Sequence, residues 1–194
     1  LPIRFIKGML RQPLKTGAIV PSSRYLAKEM LRHFPDNQKK VVVEFGAGTG
    51  AITKRIQDRM VDQKYLGFEL NTAFIDHVQK RLPSMEICPK SAESFKEELN
   101  KRNLDAPSLI VSGLPWALFP DELQESILAA TLDGLADGGV FSTFAYAHAL
   151  KLKQAQSFSE KLARHFDEVK ISKVIWRNLP PAVIYHCRKG QRHH

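Results

Sequence analysis

From residue 40 onward, apolar runs of strand length alternate with stretches whose apolar residues recur at helical spacing. Val41-Val42-Val43 is a continuous β-branched run, as suits a strand covered on both faces, and it stops at Glu44-Phe45 before Gly46-Ala47-Gly48-Thr49-Gly50. Helical spacing resumes over Ala51 to Ile56. Tyr65-Leu66-Gly67-Phe68 predicts a second buried strand ending in Glu69, Asn71 to Leu82 a helix stopped by Pro83, and Met85 to Cys88 a short third strand. Ser108 to Ser112 predicts the fourth strand, Asp121 to about Leu135 a helix, Val140 to Tyr146 the fifth strand, and Leu152 to Phe166 a further helix. This alternation predicts an α/β fold, doubly wound, with helices on both faces of the sheet. The chain ends differently. Glu168 to Trp176 and Ala182 to Arg188 read as consecutive strands joined by Arg177-Asn178-Leu179-Pro180-Pro181, a connection with room for a hairpin and none for a crossover helix. An antiparallel last strand follows. With 194 residues and no repeat or linker, residues 1–194 are expected to form one domain, with 40–188 as its core.

Ahead of that core, residues 1–35 carry two basic amphipathic segments. Phe5, Ile6, Met9 and Leu10 fall on one side of a helical pattern and Arg4, Lys7 and Arg11 on another, up to Pro13; Lys15 follows in a loop. A second helix, capped by Ser22 or Ser23, sets Leu26, Ala27, Met30, Leu31 and Phe34 against a stripe of Arg24, Lys28 and Arg32. Either stripe alone reads as a solvated surface. Two in succession change the picture, because residues 1–40 hold nine basic side chains against two acidic ones in a chain of net charge +9. That concentration points to an acidic partner, either nucleic acid or an anionic membrane surface. No apolar run has the length of a membrane span, so the chain is expected to lie on a membrane and not to cross it. Cys88 and Cys187, in strand-like segments without metal-ligand spacing, are expected to be buried and reduced, as in a cytoplasmic protein, and no metal site is expected.

The glycine loop supplies the first chemistry. A strand, a turn with glycines at alternate positions and then a helix present bare backbone N–H groups to a ligand, in a spacing one residue tighter than that of dinucleotide enzymes. Glu69 ends the next strand at about the interval at which a ribose-binding carboxylate follows such a loop. Together the two features predict nucleotide binding. In an open α/β sheet the reactants meet outside the carboxyl ends of the strands, which places an acceptor near Ser112-Gly113-Leu114-Pro115-Trp116 and near Tyr146–His148.

Glu44-Phe45-Gly46-Ala47-Gly48-Thr49-Gly50 resembles the first motif of class I S-adenosylmethionine-dependent methyltransferases, whose Rossmann-like, mostly parallel seven-stranded sheet has an antiparallel last strand. Lys15 to Ala27, Ser112-Gly113-Leu114-Pro115 and Arg177-Asn178-Leu179-Pro180-Pro181-Ala182 are similar to segments of the bacterial phospholipid N-methyltransferases, relatives of the rRNA adenine dimethyltransferases. That resemblance implies S-adenosylmethionine as cofactor, held by Glu44, Gly46, Ala47, Gly48, Gly50, Glu69 and Leu70, with Ser91, Ala92 and Ser112 around the adenine and the reacting end. Ser91 stands where many class I enzymes have an acid. The resemblance also implies that Arg4, Phe5, Lys7, Met9, Arg11 and Lys15 dock a monomeric enzyme on the inner face of the cytoplasmic membrane, with phosphatidylethanolamine as substrate on the way to phosphatidylcholine.

Methyl transfer from a sulfonium is an in-line displacement, for which the protein supplies alignment more than a nucleophile. Base-amine methylases carry Asn or Asp where this chain has Gly113, and without that acceptor an aliphatic amine is preferred over adenine. Trp116 is expected either to face the methylated ammonium, with Tyr146, Tyr25 and Trp176 as further walls, or to pack against the following helix. Ser112 and Leu114 flank the acceptor, and Tyr25, Tyr146 and His148 are the candidate proton acceptors. An RNA adenine N-methyltransferase, its basic helices gripping phosphates, is the alternative. A non-catalytic binding module is a third reading, opposed by the intact strand-four loop.

Overall fold

The computed structural model describes residues 22–36 and 39–191. The expected first helix, with Arg4, Phe5, Lys7, Met9 and Arg11, and Lys15 in the loop expected after it, lie outside the described residues. The elements in chain order are α1 (Arg24–Met30), β1 (Val41–Phe45), α2 (Ala51–Gln57), β2 (Lys64–Phe68), α3 (Thr72–Arg81), β3 (Ile87–Cys88), α4 (Phe95–Lys101), β4 (Leu109–Ser112), α5 (Asp121–Gly134), β5 (Val140–Tyr146), α6 (Lys153–His165), β6 (Glu168–Ile171) and β7 (Ala182–Arg188).

Among the described residues the strands form one seven-stranded sheet in the order β3-β2-β1-β4-β5-β7-β6. β1 through β5 pair in parallel, and β7 runs antiparallel to both β5 and β6. The order reverses between β1 and β4, where a doubly wound sheet opens a crevice beyond its carboxyl ends. The Val41–Val43 run is buried, as a central strand covered on both faces requires. One core layer gathers Phe45, Phe68, Phe95, Trp116, Phe141 and Phe158, and the other gathers Leu26, Met30, Ile52, Ile56, Val78 and Ile184. Cys88 and Cys187 are free thiols inside the first of these layers, and burial pushes both thiols up.

Two elements differ from the sequence expectation. α4 joins β3 to β4 without a strong apolar stripe; Phe95 and Leu99 face the core, while buried Glu98 is tied to Lys90, Lys101 and Arg102. β6 ends at Ile171 and does not run on to Trp176. There the Ser172 hydroxyl accepts the Ile184 N–H, a bond that a ladder would give to a carbonyl, and pairing returns only as an isolated bridge at Ile175 and Ala182. The connection to β7 is therefore ten residues, 172–181, and not five. α1 begins where its cap predicts, with the Ser23 hydroxyl accepting the Leu26 N–H at 3.2 Å. Arg24, Lys28 and Arg32 on its outer side are exposed. No helix of the described residues is long and apolar enough to cross a membrane.

Candidate functional site

The turn after β1 is built by its glycines. Gly48 (φ +51°) and Gly50 (φ +80°) are left-handed, and Gly50 is the residue from which α2 starts. A Cβ at Gly48 would meet nothing within 4 Å. The loop is held from β2: the Gly46 and Ala47 N–H groups donate to the Phe68 carbonyl at 2.8 and 3.3 Å, and the Gly48 N–H donates to Glu69 Oε2 at 2.9 Å. Glu69 Oε1 accepts the Leu70 and Asn71 N–H groups at 2.8 and 2.9 Å. With two donors on Oε1 and one on Oε2, the free lone pair of Glu69 is on Oε2. A carboxylate with both oxygens open could accept from both ribose hydroxyls; here acceptance is confined to Oε2.

Glu44, at the end of β1, is fully buried. Its Oε2 accepts from Thr53 Oγ1 at 2.8 Å and from Tyr65 Oη at 2.6 Å, whereas Oε1 has no hydrogen-bond partner among the described residues. Burial raises the carboxyl to about 7, against the lowering pull of the Tyr65 and Thr53 hydroxyls, and the neighbouring Glu69 charge adds to the rise. Neither Thr53 nor Tyr65 stood out in the sequence. An unpaired buried acceptor, open space over Gly48 and a spare acceptor on Glu69 all suit a nucleotide cofactor that brings its own donors. Farther along, Ser91 caps the turn at Ala92–Ser94 and donates to Glu93, and Ala92 is buried. Ser91 thus stays a capping residue, in keeping with its departure from an acid.

Across the crevice, Ser112 ends β4 next to Phe45 in register. Its buried hydroxyl accepts from Trp116 Nε1 at 3.1 Å and, more weakly, from the Leu114 N–H at 3.4 Å. Gly113 is pressed against the glycine loop: a Cβ there would lie 2.9 Å from the Gly46 carbonyl oxygen. On the other side of that contact, a Cβ on Gly46 would lie 3.0 Å from Leu114 Cδ2. The loops after β1 and β4 are therefore one packed unit, and an asparagine at 113 requires its backbone to move.

Trp116 has to be corrected as an acceptor-facing residue. It is 3% exposed, stacks on Phe158 at 4.8 Å and 24°, and meets Phe119 and Phe141 edge-on. With its ring covered, it has no open face for an ammonium, and packing against the neighbouring helices is the reading that holds. Tyr146 is half-buried and lies over exposed His148, ring centroids 5.8 Å apart at 12°, and burial raises its phenol. Trp176 is 77% exposed.

Tyr25 has surroundings that its sequence neighbours did not announce. Arg24 and Arg177 both donate to its hydroxyl, at 2.8 and 2.6 Å, and both lie over its ring, at 4.8 and 5.0 Å from the centroid. Hydrogen bonding from Arg24, then from Arg177, lowers the phenol below its usual value. Arg24 also lines a cleft of about 520 Å³ with Ser22, Thr49 and Gly50 of the glycine loop, and Tyr25 meets the β6–β7 connection through Arg177. Among the described residues no cluster of His, Cys, Asp and Glu is arranged to hold a metal ion.

No family model matches the chain. It is 30% identical over 188 residues to the ornithine lipid N-methyltransferase of Singulisphaera acidiphila, covering 95% of this chain and 94% of that one. Solved structures share its fold at lower identity. A SAM-dependent O-methyltransferase from Thermotoga maritima matches with TM-score 0.68 at 13% identity, over 96% of this chain and 72% of that one. An rRNA methylase from Streptococcus thermophilus matches with TM-score 0.65 at 14% identity, over 90% of this chain and all of the other. The fold is that of the class I methyltransferases.

Proposed function

The chain belongs to the lipid N-methyltransferase family represented by the ornithine lipid enzyme, and from that premise we propose that it methylates the primary amine of phosphatidylethanolamine at a membrane surface. Membership carries N-methylation of a lipid with S-adenosylmethionine as cofactor; the head group and the membrane setting are our reading. When bound, the cofactor supplies a methyl group already activated as a sulfonium. The chain's own residues do the rest. The glycine loop gives close backbone approach, Glu69 offers Oε2 to a ribose hydroxyl, and Glu44 holds an unpaired acceptor behind the loop.

The observation that carries the choice of acceptor is Gly113. A base-amine methylase needs a side-chain acceptor beside the reacting nitrogen, to draw its lone pair out of conjugation with the ring. Here the first atom of such a side chain would stand 2.9 Å from the Gly46 carbonyl oxygen, and the Ser112 hydroxyl is already engaged by Trp116. An aliphatic amine needs no such help once it has lost its proton, because its lone pair is localised. The basic segment at 4–15 fits the same reading: each Lys or Arg near an anionic leaflet contributes on the order of 1 kcal/mol. Phe5 and Met9 would add burial among acyl chains. We take the enzyme to act as a monomer on the inner face of the cytoplasmic membrane. Incubation with methyl-labelled S-adenosylmethionine and either total lipid or total RNA tests the reading; label in amine lipids supports it, and label confined to RNA adenines replaces it with the nucleic-acid alternative.

A further inference from the structure

We propose that Arg24 and Arg177, drawn together on Tyr25, receive the anionic group of the acceptor's head group, while Trp176 and Leu179 beside them enter the apolar edge of the lipid surface. The proposal rests on the lipid-amine reading above and adds the part of the substrate that is recognised.

Two guanidiniums held on one phenol repel each other, and their arrangement calls for a counter-charge. Arg32, Arg55, Arg102, Arg164 and Arg188 each pair with a carboxylate. Arg24 and Arg177 have no carboxylate partner among the described residues; each gives one N–H to the Tyr25 oxygen and keeps the rest of its fork. A guanidinium fork matches the paired oxygens of a phosphodiester or a carboxylate, so the arrangement suits an anion brought by a ligand.

The position is right for a head group. β7 runs antiparallel, so its first residue, Ala182, pairs with Tyr146 at the carboxyl end of β5, and the 172–181 connection lies on the side of the sheet where the reactants meet. The connection is anchored to α1, because the Ser23 N–H donates to Asn178 Oδ1 at 3.0 Å and Asn178 Nδ2 donates to the Pro180 carbonyl at 2.7 Å. Asn178 is 5% exposed, and its neighbours Trp176 and Leu179 are 77% and 74% exposed. A single exposed apolar side chain means little. Here a buried anchor holds two of them outward on either side of Arg177, the mixture of indole, aliphatic and cationic groups that suits a lipid–water boundary. Phosphatidylethanolamine carries a phosphodiester near its amine and an ornithine lipid a carboxylate, and one cation pair can serve either.

The full chain is tested with three acceptors: a monomeric short-chain phosphatidylethanolamine, a short-chain ornithine amide with a free carboxylate, and an alkylamine without an anion. Arg177→Gln and Arg24→Gln should each raise KM for an anion-bearing acceptor by about tenfold, the scale of a lost charge-assisted contact, with kcat and cofactor affinity little changed. KM for the alkylamine should stay put, and Arg177→Lys should recover part of the loss. A rise with only one of the two anions identifies which one the pair serves. Unchanged KM for both, or an equal rise for the alkylamine, overturns the proposal. If the wild-type protein methylated no amine lipid, the reading above would fall, and binding would still decide the anion site. Trp176 emission should shift to the blue with a monomeric anionic amphiphile, and a shift that survives in the Arg24→Gln, Arg177→Gln double variant contradicts the site.

Discussion

The Gly48 N–H donates to Glu69 Oε2 at 2.9 Å, tying the middle glycine of the first loop to the acid that ends the second strand. The residue read as a ribose acceptor is therefore also a support of the loop. Glu69→Ala should lose both roles and abolish cofactor binding in a calorimetric titration. Glu69→Gln keeps an acceptor oxygen and should weaken binding less. Both should remain folded, because Glu69 sits at the mouth of the sheet and outside its two apolar layers. Equal affinity for all three proteins would separate this acid from the cofactor.

Gly48 and Gly113 should fail differently when a methyl is added. At Gly48 the space is open and only the left-handed backbone objects, so Gly48→Ala should cost about 1 kcal/mol of stability and a larger share of cofactor affinity. At Gly113 the methyl is driven against the Gly46 carbonyl, so Gly113→Ala should lower the melting temperature more and displace the first loop with it. Thermal denaturation with and without cofactor separates the two patterns.

The two tryptophans make a second contrast. Trp116→Ala empties a stacked, buried position and should cost about 3–5 kcal/mol in chemical denaturation. Trp176→Ala removes an exposed ring and should leave stability within about 0.5 kcal/mol while weakening binding to anionic vesicles. Equal stability losses would contradict the packing of both.

Glu44 sets a pH dependence. Its folded-state carboxyl lies at about 7, above the ordinary 4.5, so the native state binds the extra proton between those values. Its contribution is full below about 4.5 and is lost as pH rises through about 7, by at most about 3 kcal/mol. Cofactor-free protein should thus lose stability between pH 5 and 8 relative to Glu44→Gln, which lacks this titration. Parallel stability curves for the two proteins would remove the assignment.

What the sequence disclosed was what its local patterns carry. The β-branched run, the alternate glycines and the Ser22–Ser23 cap signal marked β1, the first loop and the start of α1, because each depends on neighbours within a turn or a strand. α4 escaped because its buried face mixes Phe95 and Leu99 with Glu98, whose burial depends on cations from elsewhere in the fold. The contact of Tyr25 with Arg177 spans 152 positions, and the partners of Glu44 lie on α2 and β2, so no local spacing announces either. Trp116 shows the opposite limit: a lone aromatic after a strand fits a pocket wall or a core, and only the approach of Phe158 from α6 decides it.

Amine acceptors must lose a proton before they attack, since an ammonium has no lone pair, so the rate with a lipid amine should rise with pH until the amine is deprotonated. The most direct measurement is methyl transfer to two defined lipids, phosphatidylethanolamine and an ornithine lipid, each presented in vesicles with labelled S-adenosylmethionine and read by mass spectrometry. The account predicts one or more methyl groups on the phosphatidylethanolamine nitrogen, gained faster as pH rises. Methylation of the ornithine lipid alone would contradict the proposed head group, and label in neither lipid would contradict lipid N-methylation by this chain.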